Sequence, residues 1–392
     1  MMETLLHTEV QDWLKKNADA DVRLLALKKN PFPEIPYPDL MNQILAREKC
    51  RHKLPLWFGT DGILYPEKIS IEQSSSQATA EFKASLVSGD SLFDATGGFG
   101  VDDHYFAQKM KTVVHCEMNQ ALSETVSHNA NILGDGNLEP ICADSSEFLT
   151  SSDRTFDWIY VDPSRRNDKK GKVFLLADCL PNVPESLDLY FEKAPNILVK
   201  VSPMLDISQG ISELPNVSAI YVVALENEVK EVLFVLDRNF NAKPQWFTIN
   251  LESSQSELFP WSDFDQSAPI GSISNYLYEP DAAIRKAGVF DEVGVKFGLR
   301  KLHRNTHLYT SDELVKCFPG RSFLVNQQIT YTKSEMKPAL YGQKANVAVR
   351  NFPETVEQIR NKWKISDGGD RYCFFVTDST NDKIVLFCSK IS

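Results

Sequence analysis

Four short apolar segments between residues 91 and 162 each end in an acidic residue, and a glycine-rich turn follows the first. The segments are residues 91–94, 112–117, 140–144 and 156–162, which end in Asp94, Glu117, Asp144 and Asp162. Helix-forming stretches separate them, and this alternation predicts parallel strands in an open α/β sheet. Because the carboxyl ends of such strands share one crevice, we expect the four acids to lie at one ligand-binding edge.

The turn after the first segment reads Asp94-Ala-Thr-Gly-Gly-Phe-Gly100. Glycines lack a Cβ, so Gly98 and Gly100 can adopt unusual dihedrals and let a ligand approach the backbone. A purely structural strand-to-helix turn would look the same. A dinucleotide-binding protein would need a third glycine three positions after Gly100, where this chain has Asp103, and this disfavours a dehydrogenase.

In this order the motifs resemble those of class I S-adenosylmethionine-dependent methyltransferases, over roughly residues 75–240. The resemblance implies a Rossmann-like α/β sheet of seven strands, the last one antiparallel, and S-adenosylmethionine as the cofactor. The cofactor-binding residues that it implies are Asp94, Thr96, Gly97, Gly98, Phe99, Gly100, Glu117, Met118, Asp144 and Ser145. The reaction centre that it implies consists of Asp162, Pro163, Ser164 and Arg165.

The whole chain resembles a bacterial group of methyltransferases with a THUMP-like domain at the C-terminus. Residues 72–80, 278–285 and 345–353 carry this wider resemblance together with the motifs above. The domains expected are a helical N-terminal module (1–70), the methyltransferase domain (71–245), a linker or insertion (246–275), a small α+β, ferredoxin-like unit (276–318) and the THUMP-like domain (319–392). The name of the group implies contact with RNA, either tRNA or rRNA, by analogy.

A basic stretch directly follows the expected reaction centre. It contains Arg165, Arg166, Lys169, Lys170 and Lys172 against the single acid Asp168. On a chain of net charge −11, such a stretch predicts a phosphate-bearing substrate, bound by Arg166, Lys169, Lys170 and Lys172. A solvated loop is the alternative. Relatives that methylate amines have an aromatic residue after the proline, whereas this chain has Ser164, so any base stacking here would fall to an arginine plane.

The chemistry expected is direct transfer to nitrogen or oxygen. Enzymes that methylate uracil carbon need a nucleophilic cysteine after the fifth strand, and residues 200–206 contain none. Cys179 lies in an apolar helical context typical of a core residue. Two alternatives stay open: methylation of a small molecule or a protein, and an RNA-binding protein with a vestigial methyltransferase fold.

Composition restricts the partners and the cellular location that we expect for this protein. The net charge argues against bulk affinity for nucleic acids, so any RNA contact needs a local basic surface. No apolar run approaches membrane-spanning length and the N-terminus lacks a signal-like pattern, which predicts a cytoplasmic protein without a membrane partner. The seven cysteines are scattered and predict buried free thiols, and His303 with His307 is too small a set for a metal site. The oligomeric state is not predicted.

Overall fold

The computed structural model describes residues 2–165, 175–251, 257–261 and 266–391. The chain divides into two compact units. The first unit holds Met1–Leu225 and Lys230–Pro244, and the second holds Glu226–Val229 and Gln245–Ser392.

Six helices open the first unit. They are α1 (Met2–Leu5), α2 (Thr8–Lys16), α3 (Val22–Leu25), α4 (Tyr37–Lys53), α5 (Pro55–Gly59) and α6 (Lys68–Gln73). The proline-rich break at residues 30–38 precedes α4, and the first turn of α4 accommodates Pro38 because the N–H groups there have no intrahelical acceptor. Val10, Leu25, Leu40 and Ile44 pack together as the core of these helices.

Nine strands follow these six helices along the chain. They are β1 (Ser91–Asp94), β2 (Thr112–Glu117), β3 (Leu138–Cys142), β4 (Trp158–Val161), β5 (Ser164–Arg165), β6 (Cys179–Leu180), β7 (Asn196–Val201), β8 (Val217–Leu225) and β9 (Glu228–Asp237). Seven of them lie in the order β8-β9-β7-β4-β1-β2-β3, while β5 and β6 form a separate ribbon. Strands β1, β2, β3, β4 and β7 are parallel, and β9 is antiparallel to β7. The predicted Rossmann-like sheet with an antiparallel last strand is therefore confirmed.

Helices cover this sheet between its strands. They are α7 (Gln77–Leu86), α8 (Val101–Ala107), α9 (Gln120–Leu133), α10 (Ser145–Ser151), α11 (Val183–Lys193) and α12 (Ile207–Glu213). Helix α7 starts at Gln77, because the Ser76 hydroxyl accepts from the Thr79 N–H and the Thr79 hydroxyl accepts from the Ser76 N–H. This reciprocal cap holds α7 at the entrance to β1.

The second unit contains nine strands in the part of the chain that the structure describes. Its strands are β10 (Gln245–Leu251), β11 (Phe259–Trp261), β12 (Tyr276–Pro280), β13 (Arg300–Lys301), β14 (Tyr309–Ser311), β15 (Gly320–Thr330), β16 (Asn346–Arg350), β17 (Arg371–Thr377) and β18 (Lys383–Lys390). Seven strands take the order β13-β14-β12-β15-β18-β17-β16, and β10 pairs with β11 in antiparallel fashion. Strands β10 and β11 thus fall within or beside residues 246–275, which were expected as a linker.

The helices of the second unit are α13 (Ala282–Ala287), α14 (Phe290–Phe297), α15 (Lys333–Leu340) and α16 (Val356–Trp363). Strand β12 pairs with β15, so the segments 276–318 and 319–392 contribute to one sheet. Phe323, Phe374 and Leu386 bury completely in the core that this sheet covers.

The structure also bears on membrane-spanning helices and on the burial of the cysteines. Within the described residues, no helix is both long enough and apolar enough to span a bilayer. Of the seven cysteines, five are buried as expected, but Cys142 and Cys317 are exposed. Cys142 ends β3, which is the edge strand of its sheet and has a neighbouring strand on one side only.

Candidate active site

The four acids of the sequence motifs lie at one edge of the first sheet. Asp94 ends β1 and Glu117 ends β2, while Asp162 directly follows β4. Asp144 follows β3 by two residues and caps α10. Because these strands are parallel, their carboxyl ends open onto a common crevice, as expected.

Hydrogen bonds fix the glycine turn between β1 and α8. The Asp94 carboxylate accepts from the Thr96 N–H at 2.7 Å and from the Thr96 hydroxyl at 3.1 Å. Gly98 and Gly100 have φ values of +59° and +71°, the left-handed region that glycine enters without strain. The Gly98 N–H donates to Glu117 at 3.0 Å, which ties the turn to the neighbouring strand.

A buried histidine–aspartate pair lies beneath the turn. His115 Nδ1 and Asp103 Oδ2 are 2.7 Å apart, and both side chains are fully buried. A Cβ on Gly97 would stand 2.3 Å from His115 Cε1. Burial lowers the pKa of His115, whereas burial and then the charge of Asp102 raise the pKa of Asp103 well above its ordinary value. Sequence reasoning noticed Asp103 only as the residue replacing a third glycine, and nothing in the sequence paired it with His115.

Several of the expected cofactor-binding residues are buried and shape the turn. Asp94, Phe99, Gly100 and Ser145 are all buried. Burial and then the neighbouring carboxylate of Asp103 raise the pKa of Asp94 well above its ordinary value. These residues support the crevice from below.

Other expected cofactor-binding residues reach the surface of the crevice. Glu117 is half-buried, and its second oxygen accepts from the Asn119 N–H at 2.7 Å. Met118 is 71% exposed. One oxygen of Asp144 accepts from the N–H groups of Ser146 and Glu147, at 2.9 and 3.0 Å. A glycine cradle flanked by two partly exposed carboxylates and an exposed thioether fits a nucleoside, which offers hydroxyl and amino hydrogens and an apolar ring face.

The expected reaction centre begins at the end of β4. The Asp162 N–H donates to the Thr96 hydroxyl at 2.8 Å, so this residue is fastened to the glycine turn. The Asp162 carboxylate, one third exposed, forms an ion pair with Lys200 of β7. Pro163 is buried and Ser164 is exposed at the start of β5. The side chain of Arg165 and the whole of Arg166, Lys169, Lys170 and Lys172 lie outside the described residues.

Lys200 belongs to a buried set of charges that the sequence did not reveal. The Lys83 ammonium of α7 lies 2.8 Å from Glu231 of β9 and 3.2 Å from Asp102 of α8. Asp102 also accepts from the Tyr160 hydroxyl at 2.8 Å. Burial lowers the pKa of Lys200, but the charges of Asp162, Glu231 and Asp102 outweigh burial and hold this pKa above its ordinary value. Lys200 is therefore a fixed cation behind Asp162.

A third lysine, Lys53, lies close to this set of charges. The Lys53 ammonium, at the end of α4, donates to the carbonyl oxygens of Ile71 at 2.7 Å and Glu72 at 2.9 Å. Burial, and then the charge of Lys200, lower the pKa of Lys53 to about 8. In the part of the chain that the structure describes, no group of three or more His, Cys, Asp or Glu side chains could hold a metal ion.

Two segments of the second unit match known protein families. Residues 276–319 match a family described as a ferredoxin-like domain, and residues 320–390 match one described as THUMP domain-like. A crystal structure from Porphyromonas gingivalis W83, described as a candidate methyltransferase, has 30% sequence identity and a TM-score of 0.85, covering 100% of this chain and 99% of that one.

Two curated relatives from Mycobacterium tuberculosis, in strains CDC 1551 / Oshkosh and ATCC 25618 / H37Rv, are named uncharacterized S-adenosylmethionine-dependent methyltransferases. Each is 21% identical over 307 residues, which are 77% of this chain and 81% of the relative. The cofactor is thus S-adenosylmethionine, and the expected family is confirmed. The chain belongs to the class I S-adenosylmethionine-dependent methyltransferases that carry a THUMP-like domain at the C-terminus.

Proposed function

We propose that the protein transfers a methyl group directly to a nitrogen or an oxygen of an RNA nucleotide. The observation that carries this proposal is the carboxylate of Asp162, which is partly exposed at the crevice and paired with Lys200. The backbone N–H of the same residue donates to the Thr96 hydroxyl and so ties Asp162 to the glycine turn. S-adenosylmethionine supplies a methyl group already activated by its sulfonium. The remaining task of the protein is to position the acceptor and accept its hydrogen bond, which is the work that a fixed carboxylate can do.

In this proposal Asp162 orients the acceptor N–H or O–H and the ammonium of Lys200 keeps its carboxylate in place. Because the ion pair holds this carboxylate in one place, its contribution is mainly orientation of the acceptor. Pro163 keeps the backbone after Asp162 rigid, and Ser164 and Arg165 continue toward the substrate side. Glu117 and Asp144 bind the nucleoside end of the cofactor, Met118 covers its ring, and Gly97, Gly98 and Gly100 let it approach the backbone.

The lack of a cysteine at the position where enzymes that methylate uracil carbon need one favours direct transfer over a covalent carbon mechanism. Residues 200–206 contain no cysteine, and Cys179 is fully buried in β6. A buried thiol is a poor nucleophile, because the thiolate form is the reactive one and burial disfavours it.

An RNA acceptor is favoured by a feature of the THUMP-like segment. A cleft there is lined by Tyr331, Lys333, Lys337, Tyr341, Lys362 and Trp363. Lys333 and Lys337 are exposed one turn apart on α15, and the Tyr341 side chain is 42% exposed. Aromatic rings beside cationic side chains suit single-stranded RNA, whose bases stack and whose phosphates attract lysine. The basic residues Arg166, Lys169, Lys170 and Lys172 remain the proposed substrate contacts next to the reaction centre.

Two variants separate cofactor binding from transfer. We expect Glu117→Ala to weaken binding of S-adenosylmethionine by about 1.5–3 kcal/mol, the range for hydrogen bonds to a charged group.

We expect Asp162→Asn to leave that affinity nearly unchanged but to slow single-turnover transfer, because the Asp162 carboxylate faces the acceptor in the proposed mechanism. Calorimetry and rapid-quench assays measure the two effects. Wild-type transfer by Asp162→Asn would place the reaction centre elsewhere.

The acceptor class needs a separate experiment. RNA from a strain that lacks the gene is incubated with the protein and labelled cofactor, and its nucleosides are analysed by mass spectrometry. We expect one labelled nucleoside that Asp162→Asn fails to produce. Label in a metabolite or protein extract, with none in RNA, would favour a small-molecule or protein acceptor. A folded chain that binds no cofactor would favour the vestigial, non-catalytic alternative.

A further inference from the structure

Three arginines converge on one buried glutamate in the second unit. Glu279 of β12 is 2% exposed. Arg321, which stands opposite it on β15, donates from Nε at 2.8 Å and also from Nη2. Arg350, at the end of β16, donates from Nη2 to the other carboxylate oxygen. Arg285 of α13 places Nη1 3.9 Å from the same oxygen.

The positive charges of this arginine cluster exceed the negative ones. The other acid that acts on Arg285 is Asp281, whose carboxylate also caps α13 through the N–H of Ile284. Among the described residues, three guanidinium groups face these two acids, so the positive charges of the cluster outnumber the negative ones by one. Burial lowers the pKa of Arg285, and the charges of Arg350 and Arg321 lower it further against the pull of Glu279.

The hydrogen-bond donors of the cluster are also in excess. Arg321 uses two of its nitrogens on Glu279, and Arg350 uses one on Glu279 and one on its neighbour Val349. The Arg285 guanidinium makes no hydrogen bond within 3.5 Å to any residue in the described ranges, and Glu279 lies 3.9 Å from its Nη1. About a third of each arginine side chain is exposed, namely 32% for Arg285, 37% for Arg321 and 30% for Arg350. The unused N–H groups can therefore be reached from solvent.

We propose that Arg285, Arg321 and Arg350, held together by Glu279, form a binding site for a phosphate group. The planar guanidinium fork matches two phosphate oxygens, and a dianion or monoanion would neutralise the uncompensated charge. Arg285 and Arg350 lie in the segments 278–285 and 345–353 that the sequence singled out and that the transfer site does not use. The phosphate could belong to a nucleic-acid backbone or to a free phosphate, and only the first source rests on the proposed RNA substrate.

Thermal denaturation of the full chain tests the site with inorganic phosphate as the probe. Wild type, Arg285→Gln, Arg285→Lys and Arg304→Gln are compared in phosphate and in chloride at equal ionic strength. Arg304 is exposed in the same unit, so Arg304→Gln removes the same charge away from the cluster. We expect phosphate at ten times its Kd to raise the Tm of wild type and Arg304→Gln by about 2–4 °C, with little shift for Arg285→Gln. The shift for Arg285→Lys should be intermediate, because lysine keeps the charge but loses the fork.

A second arm measures the binding of a single-stranded RNA oligonucleotide by fluorescence anisotropy. Weaker binding by Arg285→Gln, by about three- to tenfold, would assign the phosphate to a nucleic-acid backbone. An unchanged RNA affinity, together with a lost phosphate shift, would assign the site to a free phosphate or a small phosphorylated ligand. Equal shifts in all variants, or no shift of wild type beyond that in chloride, would overturn the site. Methyl transfer is measured in parallel, so a failed phosphate site and a failed RNA assignment give different results.

Discussion

Gly97 is the residue at which the glycine turn tolerates no side chain. Its φ is not in the left-handed region, so conformation alone would permit alanine there. The obstacle is His115, which is fully buried and held by Asp103 at 2.7 Å. A fully buried ring that is held by a hydrogen bond cannot move aside cheaply.

We expect Gly97→Ala to destabilise the first unit by about 1–3 kcal/mol, the cost of overpacking a tight core. The affinity for S-adenosylmethionine should fall as well, because the displaced turn carries the cofactor cradle. Urea denaturation and calorimetry measure the two effects. Gly136→Ala is the matched control, since no atom lies within 4 Å of its added Cβ. Equal stability of the two variants would mean that the turn yields without cost.

Lys53 makes the free energy of unfolding depend on pH. Its pKa is about 8 in the folded protein, against about 10.4 for an ordinary lysine. Between these values the unfolded chain binds more protons than the folded one, so the free energy of unfolding rises with pH. Burial of the charged lysine costs stability in full below pH 8, and this cost disappears as the pH rises toward about 10.4.

Replacement by Lys53→Met removes this titration. From pH 7.5 to 9.5 we expect wild type to gain about 1–2 kcal/mol of unfolding free energy relative to the variant, after allowance for its partial exposure. Urea denaturation across the pH series measures the difference. The exposed Lys29, changed to Met, serves as the control and should leave the slope unchanged. Parallel curves for wild type and Lys53→Met would show that Lys53 titrates like a surface lysine.

At the scale of elements, buried charges join α7, α8 and β9. Lys83 bonds both oxygens of Glu231 and lies 3.2 Å from Asp102. Lys83→Met should cost about 3–5 kcal/mol, because two buried acids lose their cation. The double variant Lys83→Met/Glu231→Leu should recover part of that loss, which urea denaturation of both variants will show. If the double variant were less stable than the single one by the full cost of Glu231→Leu, the two residues would not be coupled.

The sequence predicted elements better than it predicted this charge network. The apolar runs and terminal acids placed β1, β2 and β4, because these signals are local. Lys83 and Glu231 are 148 residues apart. On sequence alone, Lys83 is an ordinary residue in a helix-forming stretch, and only the packing of α7 on the sheet buries it completely. Likewise, Asp94 could be assigned to the crevice by its motif, but its burial depends on contacts that the motif does not encode.

For the whole molecule, the net charge of −11 sets the condition for any RNA complex. An acidic protein repels polyanions at long range, so a few local cations must supply the attraction. The basic residues after the reaction centre, Lys169, Lys170 and Lys172, are the sequence candidates for this role.

We expect the triple change of Lys169, Lys170 and Lys172 to Gln to weaken RNA binding and flatten its salt dependence. For each lysine that no longer neutralises a phosphate of a single strand, the log–log slope should fall by about 0.7. Anisotropy titrations in a salt series measure the slope, and cofactor affinity should hardly change. The exposed Lys16, Lys28 and Lys29, changed to Gln together, form a control of equal charge. A slope equal to that of the control would assign the three lysines to the solvated surface and favour a small-molecule acceptor.

The junction between the two matched families falls at residues 319 and 320, inside the sheet that both segments share. Strand β15 begins at Gly320 and lies between β12 on one side and β18 on the other. A fragment ending at residue 319 would lose the main neighbour of β12, and the remaining fragment would open β15 to solvent along one edge. The border between the families therefore marks a change of sequence resemblance inside one folding unit. Expression trials and gene fusions that cut there should yield insoluble pieces.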